Sequence, residues 1–142
     1  MKNFTLIIFA LCATLAHAQA PKLSSWSTAQ ATIYIDFDGQ SVQSAGWRYG
    51  AYFECAPSGL NATQITEVYN RVAEDFRPFN INITTDSTVF LAAPVGNRIR
   101  IIVTPTSDWY TGVGGVSYIG SFTWGDDTPG FVFTDRLLYN PK

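Results

Sequence analysis

The chain has 142 residues, a formal net charge of −2 and only 14% charged side chains. So small a charge argues against a nucleic-acid surface and against electrostatic membrane binding, so we expect neither partner. Aromatic residues make up 15% of the sequence, which excludes a disordered tail and indicates a packed, β-rich domain.

Residues 1–18 have the pattern of a secretory signal peptide. Lys2 gives a positive start, an apolar run extends from Phe4 to Ala16, and the run ends in a small-x-small cleavage site. We therefore expect a secreted or periplasmic protein, cleaved after Ala18. The apolar run is too short to cross a bilayer comfortably, so no membrane anchor is expected after cleavage.

Cleavage would leave one small domain without a histidine. Removing the 18-residue leader from 142 residues leaves 124, which is enough for one domain and too few for two. His17, the only histidine, leaves with the leader, so the mature chain lacks the imidazole of a Ser-His-Asp triad or a His-held zinc site. Cys55 is then either a free thiol or paired with a cysteine on sequence not present here.

The first half of the mature chain predicts a strand, a loop and a helix. Residues 19–30 are a polar lead-in, and alternating apolar residues predict a first strand over 31–37. Residues 40–60 show no period and are expected to form a long loop. Asn61 begins an amphipathic helix, with Gln64 completing a capping box.

The second half predicts further strands of the same sheet. We expect them over 79–86, 97–104, 116–122 and 131–133. Phe79, Ile81 and Ile83 should face inward. The short connection after the helix predicts a right-handed parallel crossover. The fold class is therefore α/β (α+β), a twisted mixed sheet of about four to five strands with one long helix.

Two acidic motifs have ordinary explanations. Asp36-x-Asp38-Gly39 resembles the start of a calcium loop, but the remaining ligands are missing, so a turn is expected. Asp126-Asp127 is expected to form a solvated turn rather than a metal site. A carboxylate pair for glycoside hydrolysis stays open, because the chain holds other acidic residues.

Arginines and tryptophans give two further alternatives. Arg98 and Arg100 share one face of a predicted strand, where a solvated outer face is the default and an anion site the alternative. Trp47, Trp109 and Trp124 fall in predicted loops. Their rings either stack on a sugar or pack in the hydrophobic core.

The helix and the strand after it resemble a known family. Residues 72–85 (VAEDFRPFNINITT) resemble the first helix and second strand of secreted bacterial zinc metallopeptidases of the metzincin-like (reprolysin-like) group. Three weaker motifs occur in the same order as in that group: Ile35–Gly39, Gly114–Tyr118 and Gly130–Asp135. The resemblance spans about residues 31–142, essentially the whole mature chain.

The resemblance implies a zinc peptidase whose metal site lies beyond Lys142. In that family the next element is a helix with H-E-x-x-H, whose histidines bind zinc and whose glutamate is the general base. The catalytic residues and the zinc cofactor are therefore expected in the full-length parent, and this chain alone should bind no catalytic zinc and be inactive. An interrupted domain would also explain the unpaired Cys55 and the apolar Leu137–Tyr139 near the C-terminus.

The resemblance also implies a substrate-binding strand. Gly115, Val116, Ser117 and Tyr118 match the segment that pairs with the peptide or protein substrate at the edge of the sheet. Small residues suit this position because a bulky side chain would obstruct the approaching backbone. An ordinary edge strand is the alternative.

Two other functions compete with the peptidase. One is a non-enzymatic extracellular module for carbohydrate binding or adhesion, suggested by the loop tryptophans and the export signal. The other is a natural truncated paralogue that acts as a decoy or a structural piece.

Overall fold

The computed structural model describes residues 20–137. The predicted leader, its cleavage after Ala18, and Leu138 and Tyr139 lie outside the described residues. Within the described part of the chain, no helix is long and apolar enough to span a membrane.

Residues 20–137 form seven strands and two α-helices. The strands are β1 Ala31–Asp36, β2 Gln40–Val42, β3 Phe53–Cys55, β4 Ile81–Thr84, β5 Arg98–Thr104, β6 Gly115–Val116 and β7 Gly130–Phe133. The helices are α1 Ala62–Asp75 and α2 Ser87–Ala92. Short 3₁₀ turns occupy 48–50, 95–97 and 121–123.

Five strands form one mixed sheet in the order β4-β1-β5-β7-β6. The first four are parallel, and β6 runs antiparallel to β7 at the edge. Strands β2 and β3 form a separate antiparallel hairpin. The predicted mixed α/β sheet of four to five strands is confirmed, and so is the parallel pairing of the strands before and after α1.

A capping box sets the start of α1, as predicted. The Asn61 side chain accepts a hydrogen bond from the Gln64 backbone N–H at 3.0 Å, and the Gln64 side chain accepts one from the Asn61 N–H at 2.9 Å. One turn further on, Ile65 and Tyr69 are buried against the sheet. Local hydrogen bonds and one apolar stripe therefore explain both the position and the orientation of α1.

Both faces of the sheet pack against other elements of the fold. We call the side packed on α1 the α1 face; Ile33, Ile83 and Val103 point into it. On the opposite face, Phe131 and Phe133 pack under the β2–β3 hairpin, and α2 contacts β1. Two-sided burial is typical of parallel strands, whose connections lie over the faces of the sheet.

Several predictions between and beside the strands were wrong. The expected loop over 40–60 contains the β2–β3 hairpin, and α2 was not predicted. The strand expected over 116–122 is only Gly115–Val116, followed by a 3₁₀ turn. Phe79 is 55% exposed, because its N–H bonds to the Phe76 carbonyl in the turn after α1 instead of joining the sheet. Elements of two or three residues carry too little pattern to be recognised.

Arg98 does not lie on a solvated face, as the sequence suggested. Its side chain is 8% exposed and donates to both carboxylate oxygens of Asp127, at 2.8 and 2.6 Å. Its third nitrogen donates to the backbone carbonyls of Phe90, Leu91 and Ala93. The guanidinium therefore caps the C-terminal end of α2 and ties the loop before β7 to the sheet. The expected turn at Asp126-Asp127 is exposed at both residues, and Asp126 accepts the Thr128 N–H within it, whereas the ion pair of Asp127 with Arg98 was not predicted.

We predict that Arg98→Met lowers the free energy of unfolding by about 2–3 kcal/mol, because a buried guanidinium loses its hydrogen bonds to the half-exposed Asp127 carboxylate and leaves the carbonyls at the end of α2 without a donor. Asp127→Asn should cost about 1–2 kcal/mol, since Asn also tolerates the left-handed backbone of Asp127 (φ 56°). Urea unfolding of the purified protein measures both.

Asp126→Asn is the matched control. Asp126 is exposed, and an Asn oxygen still accepts the Thr128 N–H bond. Its effect should stay within about 0.5 kcal/mol. Equal losses for Asp126→Asn and Asp127→Asn would contradict the assigned role of the ion pair.

Candidate functional site

The structure places only half of the predicted substrate segment in the edge strand. Gly115 and Val116 form β6, the last strand of the sheet. Ser117 and Tyr118 follow the strand and are not part of it. Pairing of the whole segment with a peptide stays a prediction, and β6 is the part whose position suits it.

Gly115 presents its backbone to the open edge. The Phe133 N–H donates to the Gly114 carbonyl at 2.8 Å, so these two residues form a hydrogen-bonded pair. Bonded and non-bonded pairs alternate along an antiparallel ladder, and Gly115 is opposite Val132. The N–H and C=O of Gly115 therefore point away from β7. Within residues 20–137, no strand lies beyond β6.

Close packing inside the sheet explains the glycines here. A Cβ at Gly115 would lie 2.7 Å from the Phe131 carbonyl oxygen. A Cβ at Gly130 would lie 2.9 Å from Ile101 Cδ1 and 3.2 Å from Ser117 Oγ. From the family resemblance, the small residues were expected to leave room for the backbone of an approaching substrate. In the structure, Gly115 is required by its pairing with β7, and Gly130 leaves room for the Ser117 side chain beside it.

Tyr118 belongs to an aromatic cluster on the opposite face. Its ring lies 4.5 Å from Trp47 and 5.4 Å from Trp124, between ring centroids. Its hydroxyl donates to the Gly46 carbonyl at 2.6 Å. Tyr118 therefore anchors the chain after β6 instead of lining the edge.

This cluster encloses a cleft of about 730 Å³, which we call the aromatic cleft. Its aromatic walls are Trp47, Tyr49, Trp109, Tyr110 and Tyr118. Trp47 is 3% exposed and belongs to the core, which confirms the core alternative for that residue. Trp109 is partly buried against the same core, whereas Trp124 is 47% exposed.

A second concavity opens on the α1 face. It is a groove of about 480 Å³ between α1 and the sheet, which we call the apolar groove. Its walls are almost entirely aliphatic and aromatic side chains: Ile33, Ile35, Leu60, Val68, Val72, Phe76, Ile101, Val103, Val132 and Leu137, with Thr134. Ile101 and Val132 are only partly buried, although Ile102, on the other face, is fully buried. The β5 and β7 part of the α1 face is thus less covered than the opposite face of the same strands.

A buried charge pair lies on the opposite face, near α2. Arg100 donates to the Asp36 carboxylate at 3.3 Å and also to the Gln40 side chain. Burial raises the pKa of the Asp36 carboxyl, and the nearby Arg100 charge partly offsets that rise. Burial also raises the pKa of Tyr34, whose ring stacks on Phe90 at 5.3 Å. Arg100 is therefore an internal partner of Asp36, not part of a solvated face.

The remaining singled-out residues have structural roles. The Asp36 side chain accepts the Asp38 N–H at 3.1 Å, and Gly39 has φ 86°, so the predicted turn is confirmed. Cys55 is a buried free thiol, 4% exposed, and desolvation raises its pKa to about 11. A thiol so buried and so weakly acidic is a poor nucleophile and a poor partner for a cysteine on another segment.

The described residues do not fit the zinc that the resemblance implies. Residues 20–137 contain no histidine. No three His, Cys, Asp or Glu side chains in that range are close enough to hold a metal ion. Residues 20–137 therefore do not form a zinc site by themselves.

Comparisons with known proteins do not assign the chain to a family. A scan against protein-family models, a search of curated proteins and a search of solved structures each found no match. The likeness to metzincin-like peptidases therefore stays a prediction from the sequence motifs.

Proposed function

We propose that this chain is the N-terminal subdomain of a secreted zinc endopeptidase. It supplies the sheet and a substrate-binding edge strand, and the zinc-binding helix comes from sequence beyond Lys142. The observation that carries the proposal is the apolar groove, because it offers a seat for one more helix on the α1 face.

The groove has the position that a following helix needs. It runs beside α1, and its floor includes Ile101 of β5 and Val132 of β7. The family motifs place the catalytic helix directly after the strand that corresponds to β7. Thr134 and Leu137, which follow β7, already line the groove, so the chain leaves the sheet beside it. A helix with side chains is about 10 Å wide, similar to the spacing of helices that pack side by side.

The edge strand supports the same function. An extended peptide can pair with β6 by hydrogen bonds to the outward N–H and C=O of Gly115. These bonds set the strand direction and the register of the peptide. The chain's own contribution to the reaction is this positioning.

The reading frame downstream of Lys142 tests the proposal directly. We expect an H-E-x-x-H motif on an amphipathic helical pattern within about fifty residues, about the length of one loop and one helix. The extended product should bind about one zinc per chain by elemental analysis and cleave a casein substrate. The 142-residue product should do neither.

Dye binding provides an independent readout. The 142-residue product should enhance the fluorescence of anilinonaphthalene sulfonate more than the extended product, because the helix would cover the groove. A downstream reading frame that lacks the H-E-x-x-H motif would contradict the peptidase assignment. Equal dye binding by the 142-residue and extended products would also contradict it.

Amide exchange tests the edge strand. In the 142-residue protein, the Gly115 amide should exchange fast, because it points to the open edge. The Val116 amide, opposite Phe131 in a bonded pair, should be protected. Adding a blocked pentapeptide, acetyl-Ala-Ala-Leu-Ala-Ala-amide, should slow exchange at Gly115 and leave Val116 unchanged. A Gly115 amide that is protected before the peptide is added would contradict the geometry.

A carbohydrate-binding or adhesion module is the second candidate. The observation that favours it is the exposed Trp124, 47% accessible and tilted against Tyr118, which resembles a platform for a sugar ring. In that case, a glycan array should show specific binding that Trp124→Ala abolishes. Trp26→Ala is the control, because Trp26 is equally exposed and lies in the lead-in segment. Binding unaffected by Trp124→Ala would exclude this platform.

A further inference from the structure

We propose that the aromatic cleft is a specificity pocket for a neutral aromatic side chain of a peptide that pairs with β6. This inference rests on the proposed function and adds the class of residue that the site recognises. It requires that the edge and the cleft lie on one path for an extended peptide, and that the cleft suits an aromatic ring better than a sugar or a cation.

The register of β6 connects the edge with the cleft. Gly115 is opposite Val132, which lines the groove on the α1 face. Val116 is opposite Phe131 and packs with the aromatic cluster on the other face. Side chains of an added strand alternate in the same way. The peptide residue beside Gly115 thus points toward the apolar groove, and its neighbours point to the side of the aromatic cleft.

Three indole and hydroxyl donors of the cleft walls are already hydrogen-bonded within the protein, whereas Arg48, Tyr49 and Tyr110 are polar side chains of the lining that are exposed. Trp47 Nε1 donates to the Pro129 carbonyl at 2.8 Å, and Trp109 Nε1 donates to the Thr106 carbonyl at 3.2 Å. The Tyr118 hydroxyl is used by Gly46. Sugar hydroxyls need hydrogen-bond partners when they leave water, whereas an aromatic ring needs only ring faces and edges. An aromatic side chain can use the ring faces and edges of the walls, whereas a sugar would depend on Arg48 and the hydroxyls of Tyr49 and Tyr110 for its hydrogen bonds.

Arg48 decides against a cation. It lines the cleft with its guanidinium 5.2 Å from the Phe53 ring centroid, and it forms no ion pair within residues 20–137. Aromatic walls alone would attract Lys or Arg side chains through cation–π contacts. The positive charge of Arg48 repels such a ligand. Among neutral side chains, Phe and Tyr are those whose rings match the aromatic walls.

Nuclear magnetic resonance of the tryptophan indoles tests the pocket. The 142-residue protein is titrated with acetyl-Ala-Ala-X-Ala-Ala-amide, where X is Phe, Leu, Ala or Lys. The Phe peptide should shift the indole N–H signals of Trp47 and Trp109 and leave that of Trp26 in place. Apparent affinity should fall about 5-fold from Phe to Leu and further to Ala and Lys, as expected for the loss of one aromatic pair.

Two tyrosines give a matched pair of variants. Tyr110→Ala removes a wall 5.6 Å from the Trp109 ring and should cost the Phe peptide about 5-fold in affinity. Tyr52→Ala removes a ring that is 59% exposed and does not line the cleft, so affinity should not change. Arg48→Gln should raise affinity for the Lys peptide alone.

Several results would overturn the pocket. They are equal affinity for all four peptides, equal effects of the two tyrosine variants, or indole shifts produced by a cello-oligosaccharide but not by the Phe peptide. Indole shifts without protection of the Gly115 amide would overturn the link to β6. These failures are distinct from failure of the peptidase assignment, which depends on the downstream H-E-x-x-H motif and on zinc.

Discussion

The parallel strands must be covered by other elements on both faces of the sheet, and the rest of this structure depends on that constraint. Strands β4, β1, β5 and β7 expose apolar side chains on both faces, so each face needs a layer above it. The opposite face is covered by α2, the hairpin and the aromatic cluster. The α1 face is covered by a single helix, and the part over β5 and β7 is left as the apolar groove. The proposed function follows from this uneven cover.

The edge of the sheet separates two concavities of different character. On the α1 face, the apolar groove has aliphatic walls suited to the flank of a helix. On the other face, the aromatic cleft has ring walls and one guanidinium, which suit a side chain. Gly115 and Gly130 allow β6 and the turn after it to lie close against β7. Successive side chains of a peptide paired with β6 would therefore point alternately toward the apolar groove and the aromatic cleft.

Local features were predictable from the sequence, and features that depend on distant segments were not. The Asn61–Gln64 capping box and the stripe of α1 involve residues within a few turns of each other, so their pattern is readable. Arg98 was misassigned because its partners, Asp127 and the end of α2, come from segments with no strong pattern of their own. The aromatic role of Tyr118 was missed for the same reason, since Trp47 and Gly46 lie about seventy residues away along the chain.

By itself, the sequence determined the strands of four or more residues, the long helix and the α/β class, because periodicity and capping act over short distances. It also determined the absence of histidine from residues 20–137. Only the tertiary structure decided which face of the sheet is more fully covered and that the backbone of Gly115 points outward, whereas the edge position of residues 115–116 had been expected from the family resemblance. Strand order and two-sided burial depend on contacts between distant segments, which a one-dimensional pattern does not record.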